Sequence, residues 1–160
     1  MDRVAIALGS NLGDRRAHLD FAVARLTLAI PGLNVSRYHE TAPVDVPDDQ
    51  PRFLNAAAVG TTSASAQDLL AMLLAIEHER GRERPFQHAA RTLDLDLILL
   101  GSVVIHEPGL VVPHPRFRDR QFVLEPLAEV APDMVDPITG STIAELLRRV
   151  LLPRGVPPTT

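Results

Sequence analysis

The sequence predicts a single α+β domain, residues 1–160, whose core elements follow the order β-α-β-β-α-β. Two segments with apolar residues at helical spacing each come after a short strand-type run, and each begins at a residue that can cap a helix. Two strand-type segments separate these helices, and a run rich in Leu and Ile follows the second helix. A chain of 160 residues is long enough to bury one substantial core.

A strand and a capped helix open the chain. Residues 3–8 are mostly apolar and predict a strand that Gly9 ends. Asp14 is placed to cap a helix over about 15–29, because its carboxylate can accept a hydrogen bond from a free N–H of the first turn. Pro31-Gly32 should stop this helix.

Three further strands are predicted. Residues 34–40 and 53–62 have strand composition, and residues 43–51 between them contain three Pro and three Asp, which predicts a loop. The last of the three is the Leu- and Ile-rich run 93–100, which predicts a buried strand.

The second helix is predicted between the third and fourth strands. Ser65 and Asp68 form a capping box for a helix over about 66–80. Gly81 is placed to end it, because glycine tolerates the left-handed conformation that follows many helices.

The C-terminal part adds elements beyond this core. A short extra strand is predicted near 103–106 and a helix over 122–130. Thr142 with Glu145 should cap a last helix that runs to about 151, and the tail from Pro153 should be frayed. The prediction is therefore a ferredoxin-like βαββαβ core with a C-terminal helical extension.

Composition excludes several classes of protein. With 46% hydrophobic and 22% charged residues, the chain resembles an ordinary soluble domain. It has no apolar run of about 18 residues that could span a membrane, and Met1-Asp2-Arg3 does not begin a signal peptide. The absence of cysteine excludes disulfides, thiolate nucleophiles and Cys-ligated zinc. We expect a cytoplasmic monomer without membrane contact.

All 16 basic residues are arginines, which excludes a phosphate-binding or Schiff-base lysine. A phosphate ligand would have to be bound by guanidinium groups, which suit bidentate contacts. Seven of the 16 arginines fall in two short stretches that flank the strand 93–100. They are Arg80, Arg82, Arg84 and Arg91 before the strand, and Arg116, Arg118 and Arg120 after it. This segregation favours a local anion site, although solvated loops would also explain either cluster alone.

Asp94 and Asp96 are the most informative pair in the chain. Side chains alternate along a strand, so both carboxylates share one face while Leu93, Leu95 and Leu97 share the other. Carboxylates about 6.5–7 Å apart on one face suit divalent cations, which can bind the oxygens of a transferring phosphoryl group. A strand with one solvated polar face is the simpler alternative.

Other segments carry unusual residue choices. Gly9 to Asp14 is a strand-to-helix turn whose glycines allow close approach of the backbone. Asn55 is a polar group among apolar neighbours, and a buried amide needs a partner. His114, between two prolines, and the aromatic Phe122 adjoin the second arginine cluster.

Taken together, these segments resemble the 6-hydroxymethyl-7,8-dihydropterin pyrophosphokinase family of folate biosynthesis. The similarity runs in family order from residue 4 to about 132. Its motifs are Leu8-Gly9-Ser10-Asn11-Leu12-Gly13-Asp14, Glu40-Thr41-Ala42-Pro43, Phe53-Leu54-Asn55-Ala56, Ile76-Glu77, Gly81-Arg82, Arg91-Thr92-Leu93-Asp94-Leu95-Asp96, Val112-Pro113-His114-Pro115 and Arg120-Gln121-Phe122-Val123-Leu124.

The resemblance implies transfer of the β,γ-pyrophosphoryl unit of ATP to the hydroxymethyl group of the pterin, with release of AMP. It implies two Mg²⁺ ions on Asp94 and Asp96, and it places Arg82 and Arg91 with these aspartates as catalytic residues. The residues it implies for ATP binding are Glu77, Arg84, Arg91, Leu97, His114 and Arg120. Those it implies for pterin binding are Thr41, Ala42, Val44, Phe53, Asn55, His88 and Phe122.

The chain departs from the family pattern at Gln87 and His88, where many members carry Arg and Trp. Leu74 and Gly109 also replace ligand-contacting side chains of some members. Three alternatives stay open: a magnesium-dependent phosphohydrolase, a pterin-binding relative without catalysis, and an RNA-binding module of the same strand order. The net charge of −4 and the lack of aromatics in residues 4–8 disfavour the RNA-binding module, so we expect small-molecule substrates and no nucleic acid.

Overall fold

The computed structural model describes residues 1–41, 52–81 and 92–152. The predicted loop 43–51 and the predicted frayed tail lie outside these ranges. The strands are β1 (Asp2–Ser10), β2 (Asn34–Val35), β3 (His39–Thr41), β4 (Phe53–Thr62), β5 (Asp94–Leu100), β6 (Ile105–Glu107) and β7 (Leu110–Val112). The helices are α1 (Arg15–Ala29), α2 (Ala66–Glu79), α3 (Gln121–Val130) and α4 (Ile143–Leu151), with a 3₁₀ turn at Phe117–Asp119. Within the described residues no helix is both long and apolar enough to cross a membrane.

The main sheet is antiparallel and has the strand order β2-β4-β1-β5, with β3 also paired to β4. β1 is therefore central, between β4 and β5. The helix α1 joins β1 to the β2 and β3 side of the sheet, and α2 joins β4 to β5, so each helix passes over an intervening strand. This arrangement confirms the predicted ferredoxin-like α+β fold.

The two faces of the sheet bury separate apolar cores. The helices α1 and α2 cover the first face, where Ile6, Leu26 and Leu73 pack together. The C-terminal elements cover part of the second face, where Phe117, Leu124 and Leu127 pack on the sheet. The extension therefore covers a sheet face that would otherwise expose apolar residues, and it leaves one end of that face open.

Local side-chain chemistry sets the helix starts as predicted. Asp14 accepts a hydrogen bond from the backbone N–H of Ala17 at 3.1 Å, and Ser65 accepts one from Asp68 at 3.1 Å. Thr142 and Glu145 form a complete, reciprocal capping box. Each cap satisfies N–H groups that the helix itself cannot, which is why these ends could be predicted from sequence.

The predicted single strand 34–40 is wrong, because the structure divides it into β2 and β3. Val35 is paired with Ala58 and His39 with Asn55. The chain therefore advances four residues from Val35 to His39, while β4 advances three between their partners. The β2 register continues to Ser36, whose N–H donates to Ala57 O at 2.9 Å and whose Oγ accepts a hydrogen bond from the backbone N–H of Ala57 at 2.9 Å, so the extra residue lies between Ser36 and His39. A side chain thus replaces one backbone partner, as in a β-bulge.

The extra strand predicted near 103–106 lies slightly later, as β6, and pairs with β7, which the sequence did not predict. Pro108-Gly109 makes the turn between them, with Gly109 at a φ of 81°. The 3₁₀ turn Phe117–Asp119 was also not predicted. A turn of three residues is too short to show the periodic spacing of apolar residues by which a helix is predicted.

Candidate active site

A cleft of about 850 Å³ lies at the open end of the second sheet face. Strands β1, β3, β4 and β5 supply its floor, and the segment from Arg116 into α3 supplies its wall. Seven residues predicted from sequence for ligand or metal binding line it together: Thr41, Phe53, Asn55, Asp94, Asp96, Arg120 and Phe122. Their individual roles stay predictions, but the fold brings them into one cleft.

Strand register arranges the floor in two rows. Gly9 is paired with Asn55 on one side and with Asp94 on the other. Ala7, two residues earlier on β1, is paired in the same way with Ala57 and with Asp96. Small side chains on the central strand therefore leave room between the amide on β4 and the carboxylates on β5.

Asp94 and Asp96 project into the cleft while the alternate residues on β5 face the first core. Both aspartates are half-buried, whereas Leu93 and Leu95 are buried against α1 and α2. This confirms the alternation predicted for the strand. Neither carboxylate is therefore buried in the apolar interior, and both are accessible from the cleft.

Glu77 supports the aspartate strand from the first face. It is 7% exposed, and its Oε2 accepts a hydrogen bond from the backbone N–H of Leu95 at 2.7 Å. Leu95 lies between the two aspartates, so this bond fixes the part of β5 that carries both of them. Glu77 is absent from the described lining of the cleft, and its predicted contact with ATP stays a prediction.

The amide of Asn55 has a defined orientation. Its Nδ2 donates a hydrogen bond to Thr41 Oγ1 at 2.7 Å. Asn55 is 6% exposed, and its Oδ1 lies on the Gly9 side. Thr41 therefore leaves the amide carbonyl directed along the floor toward β1, where it can accept a hydrogen bond from a ligand. Phe53, also half-buried, lies two residues earlier on the same face of β4.

The cleft wall brings a cation next to an aromatic ring. The guanidinium carbon of Arg120 lies 5.5 Å from the centroid of the Phe122 ring. Arg116 and Asp119 face the cleft from the same segment. The residues predicted for the phosphate side and for the pterin side are thus adjacent at this point.

His114 lies close behind this wall without lining the cleft itself. Its backbone N–H donates to Ile98 O at 3.0 Å, and its Nδ1 accepts from the backbone N–H of Arg116 at 3.1 Å. Burial lowers the pKa of His114, and the positive charge of Arg120 lowers it further, while Asp94 acts in the opposite direction. A neutral imidazole with Nε2–H as its donor is therefore favoured at pH 7.

Other predicted residues lie elsewhere. The side chain of Leu97 packs in the first core, so only its backbone is available to a ligand. Ala42, Val44, Arg82, Arg84, His88 and Arg91 lie outside the described residues, as does Gln87.

Six cleft residues were not predicted as site residues: Ala7, Leu8, Asp119, Gln121, Val123 and Val150. Arg116 was predicted only as a member of an arginine cluster, and Gly9 only as part of a turn and a family motif. The alternation of Ala5, Ala7 and Gly9 with larger residues on β1 was the available signal, because it marks a sheet face without bulk. Nothing local distinguishes Val150, which approaches through the packing of α4.

The donor set fits a hard divalent cation bound in part by its substrate. Within the described ranges there is no group of three or more His, Asp or Glu that could hold a metal unaided. Asp94 and Asp96 offer carboxylate oxygens, and Mg²⁺ commonly takes its remaining ligands from phosphate and water. Carboxylates on the floor of the cleft and arginines on its wall can therefore bind a metal–polyphosphate complex.

The fold and the site together define a ferredoxin-like α+β protein with an open cleft where the two β5 aspartates, two arginines and two aromatic rings meet. Residues 5–132 match the family model for 7,8-dihydro-6-hydroxymethylpterin-pyrophosphokinase, HPPK. The chain belongs to this family.

Several relatives carry the name 2-amino-4-hydroxy-6-hydroxymethyldihydropteridine pyrophosphokinase. The Pseudomonas aeruginosa protein is 41% identical over 152 residues, covering 92% of this chain and 91% of the relative. The Methylorubrum extorquens protein is 40% identical over 159 residues and covers 98% of both chains. Longer proteins also match: the chain spans only 20% of the Pneumocystis carinii folic acid synthesis protein fol1, with 36% identity over 151 residues.

Solved structures support the fold. The Plasmodium falciparum HPPK-DHPS crystal structure has a TM-score of 0.72 at 14% sequence identity, covering 92% of this chain and 44% of that one. A triple mutant of the same protein gives 0.73 at 15% identity, with the same coverage. At this identity the likeness concerns the fold alone.

Proposed function

We propose that this chain has the activity of its family and transfers the pyrophosphoryl unit of ATP to the hydroxymethyl group of 6-hydroxymethyl-7,8-dihydropterin. The hydroxyl oxygen of the pterin forms a bond to the β-phosphorus of ATP and loses its proton. The bond between the β-phosphorus and the bridging oxygen to the α-phosphate breaks, and AMP leaves. Family membership and the names of full-length relatives support this reaction.

One observation carries the assignment of the site. The register of the sheet puts Asn55 and Asp94 on either side of Gly9, on the same face and in the same cleft. A ligand recognised by the amide can therefore place a reacting group over Gly9, beside the carboxylates. This is the juxtaposition that transfer between a heterocycle and a polyphosphate needs.

Asp94 and Asp96 are the proposed magnesium ligands, and two ions are expected. Magnesium held there would supply Lewis-acid stabilisation of charge at the phosphates. The carboxylates themselves orient the polyphosphate by presenting oxygens from one fixed strand, which Glu77 holds at Leu95.

Arg116 and Arg120 line the same cleft as the aspartates, and we assign them to the phosphate oxygens. Guanidinium groups suit this role because their planar donors match two oxygens at once. His114, whose Nδ1 accepts from the backbone N–H of Arg116, is a further candidate donor to the phosphates. Arg82, Arg84 and Arg91 are further candidates on sequence grounds alone.

Asn55, Phe53 and Phe122 form the proposed pterin side. The Asn55 carbonyl accepts from the donor edge of the ring, and Thr41 keeps the amide from rotating. An aromatic face such as that of Phe122 can stack on a flat heterocycle, worth about 0.5–1.5 kcal/mol beyond area burial. Backbone groups near Thr41 and beyond would complete the contacts to the ring edge.

One incubation separates the proposed transfer from hydrolysis. The protein is mixed with ATP and Mg²⁺, with and without the pterin, and nucleotides are separated by chromatography. AMP that forms only when the pterin is present supports transfer. Phosphate or pyrophosphate released without the pterin would support a phosphohydrolase instead, and pterin binding without any turnover would indicate a relative that lost catalysis.

A further inference from the structure

The second arginine cluster divides its members between two tasks. Arg116 and Arg120 flank the 3₁₀ turn Phe117–Asp119, and both line the cleft. Arg118, in the middle of the turn, lies away from the cleft and reaches the loop between α3 and α4. Sequence alone could not separate these three arginines, because a turn of this length has no predictable period.

Arg118 makes a bidentate ion pair with a fully buried carboxylate. Its Nε donates to Asp136 Oδ2 at 2.5 Å and its Nη2 donates to Asp136 Oδ1 at 2.9 Å. Asp136 is 0% exposed and also accepts hydrogen bonds from Thr139 Oγ1 at 2.7 Å and from the backbone N–H of Ile138 at 3.0 Å. The Asp136 carboxylate is thus held by hydrogen bonds within its own loop in addition to its bonds with Arg118.

The hydrogen bonds within the turn are weak. Its own backbone hydrogen bonds are long, at 3.3 Å from Asp119 N to Arg116 O and 3.2 Å from Arg120 N to Phe117 O. Phe117, which is 0% exposed, anchors one side of the turn in the second core. The backbone at the two ends of the turn is held as well: Arg116 N–H donates to His114 Nδ1 at 3.1 Å, and Arg120 O accepts from the N–H groups of Val123 and Leu124 at 3.0 Å. Arg118 is the ion-pair anchor of the middle of the turn, and through it acts on the directions of the Arg116 and Arg120 side chains.

The pterin side has separate anchors. The helix α3, which carries Phe122, is held by Val123, Leu124 and Leu127 in the second core. Glu129 at the other end of α3 binds the backbone N–H and Nε of Arg37, and it also pairs with His39. Loss of the Arg118 anchor should therefore disturb Arg116 and Arg120 more than Phe122.

We infer that the Arg118–Asp136 ion pair is a positioning element that holds Arg116 and Arg120 against the cleft and so sets the affinity for ATP, not for the pterin. This inference rests on the proposed function. Neither Arg118 nor Asp136 is part of the described lining of the cleft. Their effect passes through the orientation of the two cleft arginines.

The test compares KM values for ATP and for the pterin in Asp136→Asn and Arg118→Lys. Both variants should raise the KM for ATP about tenfold or more, as expected when a contacting group is misplaced. The KM for the pterin should stay within about twofold, a change of about 0.4 kcal/mol, because the anchors of α3 are left in place. Arg118→Lys keeps the positive charge but loses the planar guanidinium that makes the bidentate contact. This variant therefore tests the inference even if Asp136→Asn does not fold.

Two controls separate positioning from general loss of stability. Asp133→Asn breaks the exposed pair with Arg3 in the same loop region and should leave both KM values unchanged. Leu26→Ala destabilises the first core and should lower the melting temperature without changing the KM for ATP.

An ATP KM within about twofold of wild type in both ion-pair variants would overturn the inference. The inference would also be overturned if Leu26→Ala raised the KM for ATP as much as Asp136→Asn does, at a matched melting temperature. A wild-type protein that does not use ATP would instead overturn the proposed function, and this inference with it.

Discussion

The carboxylate of Glu77 accepts a hydrogen bond from the backbone N–H of Leu95, the residue between Asp94 and Asp96. A helix on one face of the sheet thereby fixes the strand whose acidic side chains project from the other face. The geometry makes Glu77 a support for the proposed metal ligands, whatever contact it also makes with the nucleotide.

Glu77→Ala should lower the free energy of unfolding by about 1–3 kcal/mol, because it removes a buried acceptor from the Leu95 N–H. Glu77→Gln keeps an acceptor and should cost less. Urea denaturation measures both. Glu79→Ala, which breaks the exposed pair with Arg25 on the same helix, is the control and should cost no more than about 1 kcal/mol. Equal losses for Glu77→Ala and Glu79→Ala would contradict the support role.

Asp94→Asn and Asp96→Asn should each reduce turnover by about 10²–10³-fold, the usual loss when one electrostatic stabiliser is removed. Both side chains are half-buried in an open cleft, so the urea midpoint should change little. Steady-state kinetics across a range of Mg²⁺ concentrations measure the effect. Near-normal rates in either variant would show that the metal assignment is wrong.

Asn55→Ala should weaken pterin binding by about 1–3 kcal/mol and leave ATP binding unchanged, because the amide is the proposed hydrogen-bond partner of the pterin alone. Thr41→Val should have a smaller effect in the same direction, since it removes the acceptor that orients the Asn55 Nδ2. Calorimetric titration of each variant with the pterin and with ATP measures the two affinities separately. Asn34→Ala, on the short strand β2, is the control. Comparable losses for pterin and ATP in Asn55→Ala would indicate a structural amide.

Gly9→Ala should also weaken pterin binding. A methyl group on the Gly9 Cα would lie 3.2 Å from Asn55 Oδ1, closer than ordinary contact, so the amide must shift. If the effect passes through Asn55, the losses in the Gly9→Ala and Asn55→Ala single variants should not add in the double variant. Additive losses would mean that the methyl group blocks the ligand directly.

The titration of His114 should respond to the nucleotide. Burial, followed by the Arg120 charge, lowers the pKa of His114 below its ordinary value of 6.5 in the free protein. The imidazole therefore costs folding stability as the pH falls from 6.5 toward the lower folded pKa. A triphosphate bound nearby should raise that pKa, because negative charge favours the imidazolium.

Proton NMR of the imidazole Hε1 measures the midpoint with and without ATP. His18 is the matched control: burial and Arg80 lower its pKa too, but it is absent from the described cleft lining and should not respond. A His114 midpoint that stays constant at saturating ATP would remove this histidine from the nucleotide site.

Breaking the buried ion pair should cost stability in a pH-dependent way. Burial alone would raise the pKa of Asp136, but hydrogen bonds from Arg118, Thr139 and the Ile138 N–H lower it to about 2. The stabilisation is therefore complete above the ordinary value of 3.8 and is lost as the pH falls through about 2. Asp136→Asn should cost about 3–5 kcal/mol at pH 7 by denaturation, the usual loss when one partner of a buried pair is removed. A loss under about 1 kcal/mol would contradict it.

Local chemistry accounts for what could be predicted. The helix starts at Asp14, Ser65 and Thr142 depend on hydrogen bonds within four residues, and the structure has all three. The shared face of Asp94 and Asp96 depends only on the two-residue period of a strand. The split of strand 34–40 could not be predicted, because the bond between Ser36 and Ala57 joins residues far apart in sequence.

The sequence by itself determined the βαββαβ order of the core, the helix caps, the face of the two aspartates and the family. Only the tertiary structure decided that Gly9 separates Asn55 from Asp94, that Glu77 supports Leu95, and that Arg118 binds Asp136 while Arg116 and Arg120 face the cleft. The reason is the distance in sequence over which each feature is set. Helix caps and the alternation of side chains along a strand depend on neighbouring residues. Strand register and side-chain direction in a short turn depend on contacts between segments far apart in sequence.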